Sequence, residues 1–238
     1  MQKLRIDIWS DIACPWCYIG KRHLEEALST FEHKDDVEIV WRAFELDPGA
    51  PKLREAVPSA ERLAKKYRVS VEQAHVMMER VIDAGKKAGL DMKLHESKSG
   101  NTFDAHRLLH WAGTLGKQDA MKERLMRAYQ SEGAVISNLD VLVGLAGDIG
   151  LDTAEARAVL DSERYATDVR ADEQLASELG ISGVPFFVLA GKLGVSGAQP
   201  ADTLKQVLAR AWAERPQLET VTDGEACGPD GCALPDRD

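Results

Sequence analysis

The sequence predicts an α/β fold in which an N-terminal strand–helix–strand unit and a C-terminal strand–strand–helix unit frame a long helical stretch. Three observations predict it. Lys3 to Trp9 alternates, with Leu4, Ile6 and Ile8 on one face, as a half-buried strand does. From about Ala60 to Gly180, apolar residues recur at helical spacing almost without interruption. Beta character then returns at Pro185-Phe186-Phe187-Val188-Leu189-Ala190, and Gly191-Lys192 turns the chain into Leu193 to Ser196.

The elements follow in order. After the first strand, the short loop Ser10-Asp11-Ile12-Ala13 leads to Cys14-Pro15-Trp16-Cys17. A helix starts there, because proline suits a first turn whose N–H groups lack intrahelical partners. It runs to about Phe31 with Leu24, Ala27, Leu28 and Phe31 on its apolar face. Val37 to Phe44 reads as a second strand, ended by Asp47-Pro48-Gly49. Ser70-x-x-Gln73 is a capping box, followed by the stripe Ala74, Met77, Met78, Val81, Ile82 and Gly85, which reads as core. Further stripes are Ala105, Leu108, Leu109, Ala112 and Met121, Leu125, Ala128, Tyr129. Asn138 opens a helix ending at Gly150, and Asp152-x-x-Glu155 opens the next. Asp202 is expected to cap a last helix burying Leu204, Val207, Leu208, Ala211 and Trp212. The order βαβ, helices, ββα is a thioredoxin-like topology with a large all-helical insertion. The expected division is residues 1–50 and 181–215 for the α/β part, 51–180 for the insertion and 216–238 for a mobile tail.

Composition excludes several functions. At 44% hydrophobic and 29% charged residues, the 238-residue chain has the make-up of an ordinary globular protein. It lacks the apolar run of a membrane span and the unbroken apolar stretch of a secretory signal, so a cytoplasmic location is expected, away from membranes. The net charge is −9 with interspersed signs, which argues against nucleic acid as a partner. Lys65-Lys66 and Lys86-Lys87 read as solvated faces.

Four cysteines fall in two pairs, Cys14/Cys17 and Cys227/Cys232. In a reducing compartment such pairs suggest redox chemistry or metal binding rather than structural disulfides. Cys14 at a helix N-terminus is favoured as a thiolate by free N–H groups and the helix dipole. Cys17 lies one turn on and less exposed, close enough to resolve a mixed disulfide on Cys14. Packed core cysteines, or half of a zinc site, are the competing readings. The reading adopted needs no cofactor and no resident metal.

The Cys14-Pro15-Trp16-Cys17 motif after a strand, the helical insertion and Gly183-Val184-Pro185-Phe186-Phe187 together resemble the DsbA family, over essentially the whole chain. Within it the chain is similar to a cytoplasmic FrnE-type branch, through Asn101-Thr102-Phe103-Asp104-Ala105-His106-Arg107-Leu108, Gly180-Ile181-Ser182-Gly183-Val184-Pro185 and the C-terminal Cys-x4-Cys. The resemblance implies thiol–disulfide exchange with protein substrates, Cys14 as nucleophile and Cys17 as resolving thiol. Pro15, Trp16, Val184 and Pro185 would shape the site, and Val184–Pro185 would be a cis bond. Secreted DsbA enzymes carry a signal peptide and usually His within the motif. This chain has neither, so a reductase or isomerase fed by a thioredoxin or glutathione system is expected. Glutathione-dependent isomerases and kappa-class glutathione transferases share the architecture but hold Ser where this chain has Cys14. Asn101 and His106 either line a pocket over Cys14 or serve as a helix cap and a packed histidine. The turn signal Gly228-Pro229-Asp230-Gly231 would bring Cys227 and Cys232 together as an auxiliary redox pair. An unlinked tail pair and a four-cysteine zinc site are the alternatives there.

Overall fold

The computed structural model describes residues 3–52 and 57–215, and the backbone of 227–228 and 231–232. A four-stranded sheet has the order β2-β1-β3-β4. β1 (Leu4–Ser10) runs parallel to β2 (Val37–Ala43), with Leu4 opposite Val37 and Ser10 opposite Ala43. β1 pairs antiparallel with β3 (Phe186–Leu189), which pairs antiparallel with β4 (Leu193–Ser196). The parallel pair needs a crossover, which α1 (Pro15–Ser29) supplies. α9 (Ala201–Ala213) follows β4.

Alternation along β1 sorts its side chains between two faces. Leu4, Ile6 and Ile8 are buried in one core with Leu24 and Ala27 of α1 and Leu204 and Leu208 of α9. Trp9 points the other way, against Ala176 and Ile181, and its indole N–H donates to the Asp172 carbonyl at 2.9 Å.

Between β2 and β3 lie α2 (Ser59–Tyr67), α3 (Val71–Lys87), α4 (Phe103–Thr114), α5 (Gln118–Gln130), α6 (Leu139–Asp148), α7 (Thr153–Leu160) and α8 (Ala166–Glu178). Local caps set several starts. Ser70 and Gln73 close a reciprocal capping box, Asn138 accepts from the Asp140 and Val141 amides, and Asp152 accepts from those of Ala154 and Glu155. The last helix differs from expectation. α9 starts two residues earlier, after Pro200, so Asp202 lies inside its first turn rather than at the cap. There its charge still complements the helix dipole.

A buried polar network joins the helices to the sheet. Asp172 of α8 accepts from the Ala43 amide at 2.9 Å and from Arg42 at 2.8 Å, with His110 of α4 at 3.0 Å. Tail positions 216–226, 229–230 and 233–238 fall outside the described residues, and with them the centre of the turn expected at 228–231. In the described tail backbone, β5 (Cys227–Gly228) and β6 (Gly231–Cys232) pair antiparallel, with Cys227 directly opposite Cys232.

Candidate active site

Cys14 is the N-cap of α1, with extended backbone and Pro15 in the first turn. Its carbonyl accepts from the Cys17 amide at 3.1 Å and its amide donates to the Asp11 carbonyl at 3.2 Å. Both thiols are free. The relative exposures rank them as the helix predicts: Cys14 is 5% exposed, Cys17 1%, and Trp16 between them 44%. Across from the helix start, the Val184–Pro185 bond is cis, as the resemblance implied. The Cys14 thiol donates to the Val184 carbonyl at 3.5 Å. Gly20 lets α1 lie close to this segment, since a Cβ there would stand 3.0 Å from Pro185 Cγ and 3.4 Å from Phe187 Cζ.

A second layer lies beneath the motif. Burial opposes ionisation of Asp11. The His106 ring outweighs it, joined by the Leu46 amide and the charge of Lys122, and together they hold the carboxyl below its ordinary range. Burial pushes His106 down in turn. From α5, Lys122 donates to the Ser10 carbonyl at 3.1 Å and Gln130 to the Ile12 carbonyl at 2.9 Å. Both side chains are fully buried, and burial pushes the Lys122 ammonium down to about 8.

The two cysteines titrate as one unit. Their mutual hydrogen bond, then burial, raises Cys14 well above the ordinary thiol range. At Cys17 burial also disfavours the anion. The Cys14 thiol, the Lys122 ammonium, the nearby Ser10 hydroxyl and the Asp11 amide outweigh it and lower Cys17. The two shifts run in opposite directions, up for the outer thiol that faces Val184 and down for the inner one. The sequence expectation put the charge on Cys14 through the helix dipole alone. Lys122, which comes from a distant segment, acts on the inner sulfur as well.

The outer sulfur opens on a cleft of about 1210 Å³. Trp16, Met77, Met78, Leu94 and Tyr129 are among its lining residues, with Arg62, Lys65 and Lys66 also on its wall. This corrects the reading of the α3 stripe as pure core: Met77 and Val81 are only half-buried and line the cleft. The pocket reading of Asn101 and His106 is corrected too, as neither lines the cleft. Asn101 Oδ1 accepts from the Phe103 amide at 2.9 Å at the start of α4, while His106 is buried 3.5 Å from Asp11.

Asp11, Lys122 and Gln130 escaped the sequence reading. A signal existed for the lysine. Lys122 lies three and four residues before Leu125 and Met126, in the middle of the apolar stripe of its helix.

Pairing a cis-proline loop with two thiols at a helix start equips the site for reversible disulfide exchange. Known proteins agree. A probable DsbA oxidoreductase from Streptomyces coelicolor is similar in structure, with 47% identity, a TM-score of 0.89, and coverage of 98% of this chain and 100% of that one. The Bacillus subtilis protein YwbO is 27% identical over 209 residues, 86% of this chain and 96% of its own. DsbM, a cytosolic disulfide reductase from Pseudomonas aeruginosa, shares the fold at 19% identity and a TM-score of 0.57, covering 88% of this chain and 99% of its own. DsbM has also been solved with GSH. The DSBA-like thioredoxin domain profile matches residues 5–209. With its paired thiols, cis-proline and sheet order, the chain belongs to the DSBA-like thioredoxin family of thiol–disulfide oxidoreductases.

Proposed function

We propose that this chain is a reductase or isomerase of protein disulfides, of the cytoplasmic FrnE-like branch, with Cys14 as nucleophile and Cys17 as resolving thiol. The observation that carries the reading is the asymmetry of the pair. The Cys14 sulfur borders an open cleft and the Val184 carbonyl, while the Cys17 sulfur is closed off beneath it.

In a reducing cycle, Cys14 gives up its proton to water as substrate approaches. The Cys14 thiolate attacks one sulfur of the substrate disulfide, forms a mixed disulfide and releases the other sulfur as a thiolate. Cys17 then gives up its proton to the released substrate thiolate and attacks Cys14. The Cys14–Cys17 bond forms and the second substrate thiolate leaves. Two electrons pass from the pair to the substrate, and a thioredoxin- or glutathione-type thiol returns them. The backbone register that sets Cys227 opposite Cys232 supports a tail dithiol that relays those electrons. Insulin reduction tests the reading: Cys14→Ser should abolish it, and retained activity would contradict it.

A second reading rests on the size of the cleft, which is large enough for glutathione and a small electrophile together. As a glutathione-dependent isomerase or transferase, the protein would turn over such an electrophile at a rate unaffected by Cys17→Ser.

A further inference from the structure

We propose that Asn101 is a positioning residue: from the start of α4 it holds segment 45–52 as the substrate-facing wall of the cleft, and so sets how well the protein grips an apolar stretch of polypeptide beside Cys14. The proposal rests on the reading that the cysteine pair exchanges with protein disulfides.

Three observations carry it. The first is the wall itself. Leu46, Asp47, Ala50 and Pro51 line the same cleft as Cys14 and Trp16, and Leu46 is 38% exposed. Segment 45–52 lies outside every helix and strand, so side chains from elsewhere must hold it.

The second is the tether. Asn101 Oδ1 accepts from the Phe103 amide at 2.9 Å, which ties the side chain to α4. The other edge of the same planar amide carries two N–H donors. They reach Glu45 Oε1 at 3.2 Å and the Pro48 carbonyl at 3.4 Å. Glu45 is fully buried at its side chain, and its second oxygen accepts from Arg170 of α8 at 2.6 Å. One turn after Asn101, Asp104 pairs with Lys52 at 2.9 Å, so the segment is held at both ends and in the middle. The anchor is itself fixed, because Gly100 packs so closely on Ser137 that a Cβ there would overlap the Ser137 hydroxyl.

The third is registry with the redox motif. Asp11 Oδ2 accepts from the Leu46 amide at 2.8 Å, and the Asp11 carbonyl accepts from the Cys14 amide at 3.2 Å. Wall and nucleophile therefore share one residue as their reference.

Leu46, Ala50 and Pro51 offer apolar surface, as do Trp16 and Met77 elsewhere in the lining. Polypeptide flanking a substrate disulfide meets that surface, and apolar side chains gain most from it. A disulfide without such flanks presents only its sulfurs. The wall takes no part in electron transfer, so loosening it weakens binding and spares the attack.

Kinetics of the full chain with two disulfides test this: insulin, and hydroxyethyl disulfide, which has no flanking polypeptide. Asn101→Ser keeps an oxygen for the Phe103 amide but is too short to reach Glu45 and Pro48. It should raise KM for insulin about fivefold, the worth of one net hydrogen bond, with kcat unchanged. Its rate with hydroxyethyl disulfide should equal that of wild type. Leu46→Ser, on the wall itself, should give the same split, and it decides the matter where Asn101→Ser does not fold. A wild-type KM for insulin in either folded variant overturns the proposal. So does a parallel fall with both disulfides, which would place the effect in the chemistry or the fold. A wild-type protein that reduces neither disulfide would instead reject the underlying reading of the cysteine pair.

Discussion

Gln130 Nε2 donates to the Ile12 carbonyl at 2.9 Å across 118 residues of sequence. Eight residues earlier on the same helix, Lys122 reaches the Ser10 carbonyl. Glu123 between them accepts from the Tyr18 hydroxyl at 2.7 Å, and from Arg22 of α1. One helix of the insertion thus holds both the loop before the motif and the helix after it. The inserted helices do more than wall the cleft: they fix the backbone from which Cys14 is presented.

Removing that strut should loosen the loop. Gln130→Leu leaves the Ile12 carbonyl buried without its donor, at a cost of about 1–3 kcal/mol. Urea unfolding should show this as a lower midpoint with an unchanged slope. A midpoint equal to wild type would mean that the loop finds another donor.

The approach of α1 to the cis-proline loop should be intolerant of bulk. Gly20→Val directs new methyl groups at Pro185 Cγ and Phe187 Cζ, neither of which can swing aside. The expected loss is about 2 kcal/mol, and thermal unfolding measures it. Gly85→Ala is the contrasting control. Its Cβ would meet the end of Met92, a flexible side chain that can move, so its loss should be smaller.

Acid should unfold the protein partly through Asp172. Burial raises its pKa, but His110, the Ala43 amide and Arg42 outweigh that, and the carboxyl lies below its ordinary value. A carboxylate whose folded pKa is depressed stabilises the fold fully above its unfolded pKa, about 4, and loses that contribution as pH falls through the folded one. Asp172→Asn should cost about 3 kcal/mol at pH 7, and its stability should fall less between pH 5 and pH 2 than that of wild type. Parallel urea curves across that range for the two proteins check it.

Much of this was legible in the sequence where the determinants are local. The box at Ser70 and Gln73, the caps at Asn138 and Asp152, and the alternation of Leu4, Ile6 and Ile8 act within a few residues, and they stand in the structure as read. The motif itself was legible because proline, cysteine spacing and a preceding strand coincide at one helix start. The layer beneath it was not. Whether Lys122 is solvated or buried depends on Trp41 and Ser10, far away in the chain. That lysine in turn is one of the groups that lower the Cys17 thiol. Asn101 and His106 were visible as residues, but two equal readings remained until the fold put one at a helix start and the other against Asp11.

The tail pair should matter for return of electrons rather than for attack on substrate. Replacing Cys227 and Cys232 with Ser should slow turnover by a thioredoxin- or glutathione-type reductant, with single-turnover reduction of insulin unchanged. Steady-state rates identical to wild type would remove the relay.

The central claim, that Cys14 attacks and Cys17 resolves, is tested most directly by trapping. Cys17→Ser protein is mixed with an oxidised protein substrate, and the adduct is mapped by mass spectrometry of its peptides. The account predicts a persistent mixed disulfide on Cys14, and none when Cys14→Ser is used instead. An adduct on Cys17 in the Cys14→Ser protein, formed as fast as the one on Cys14, would contradict it.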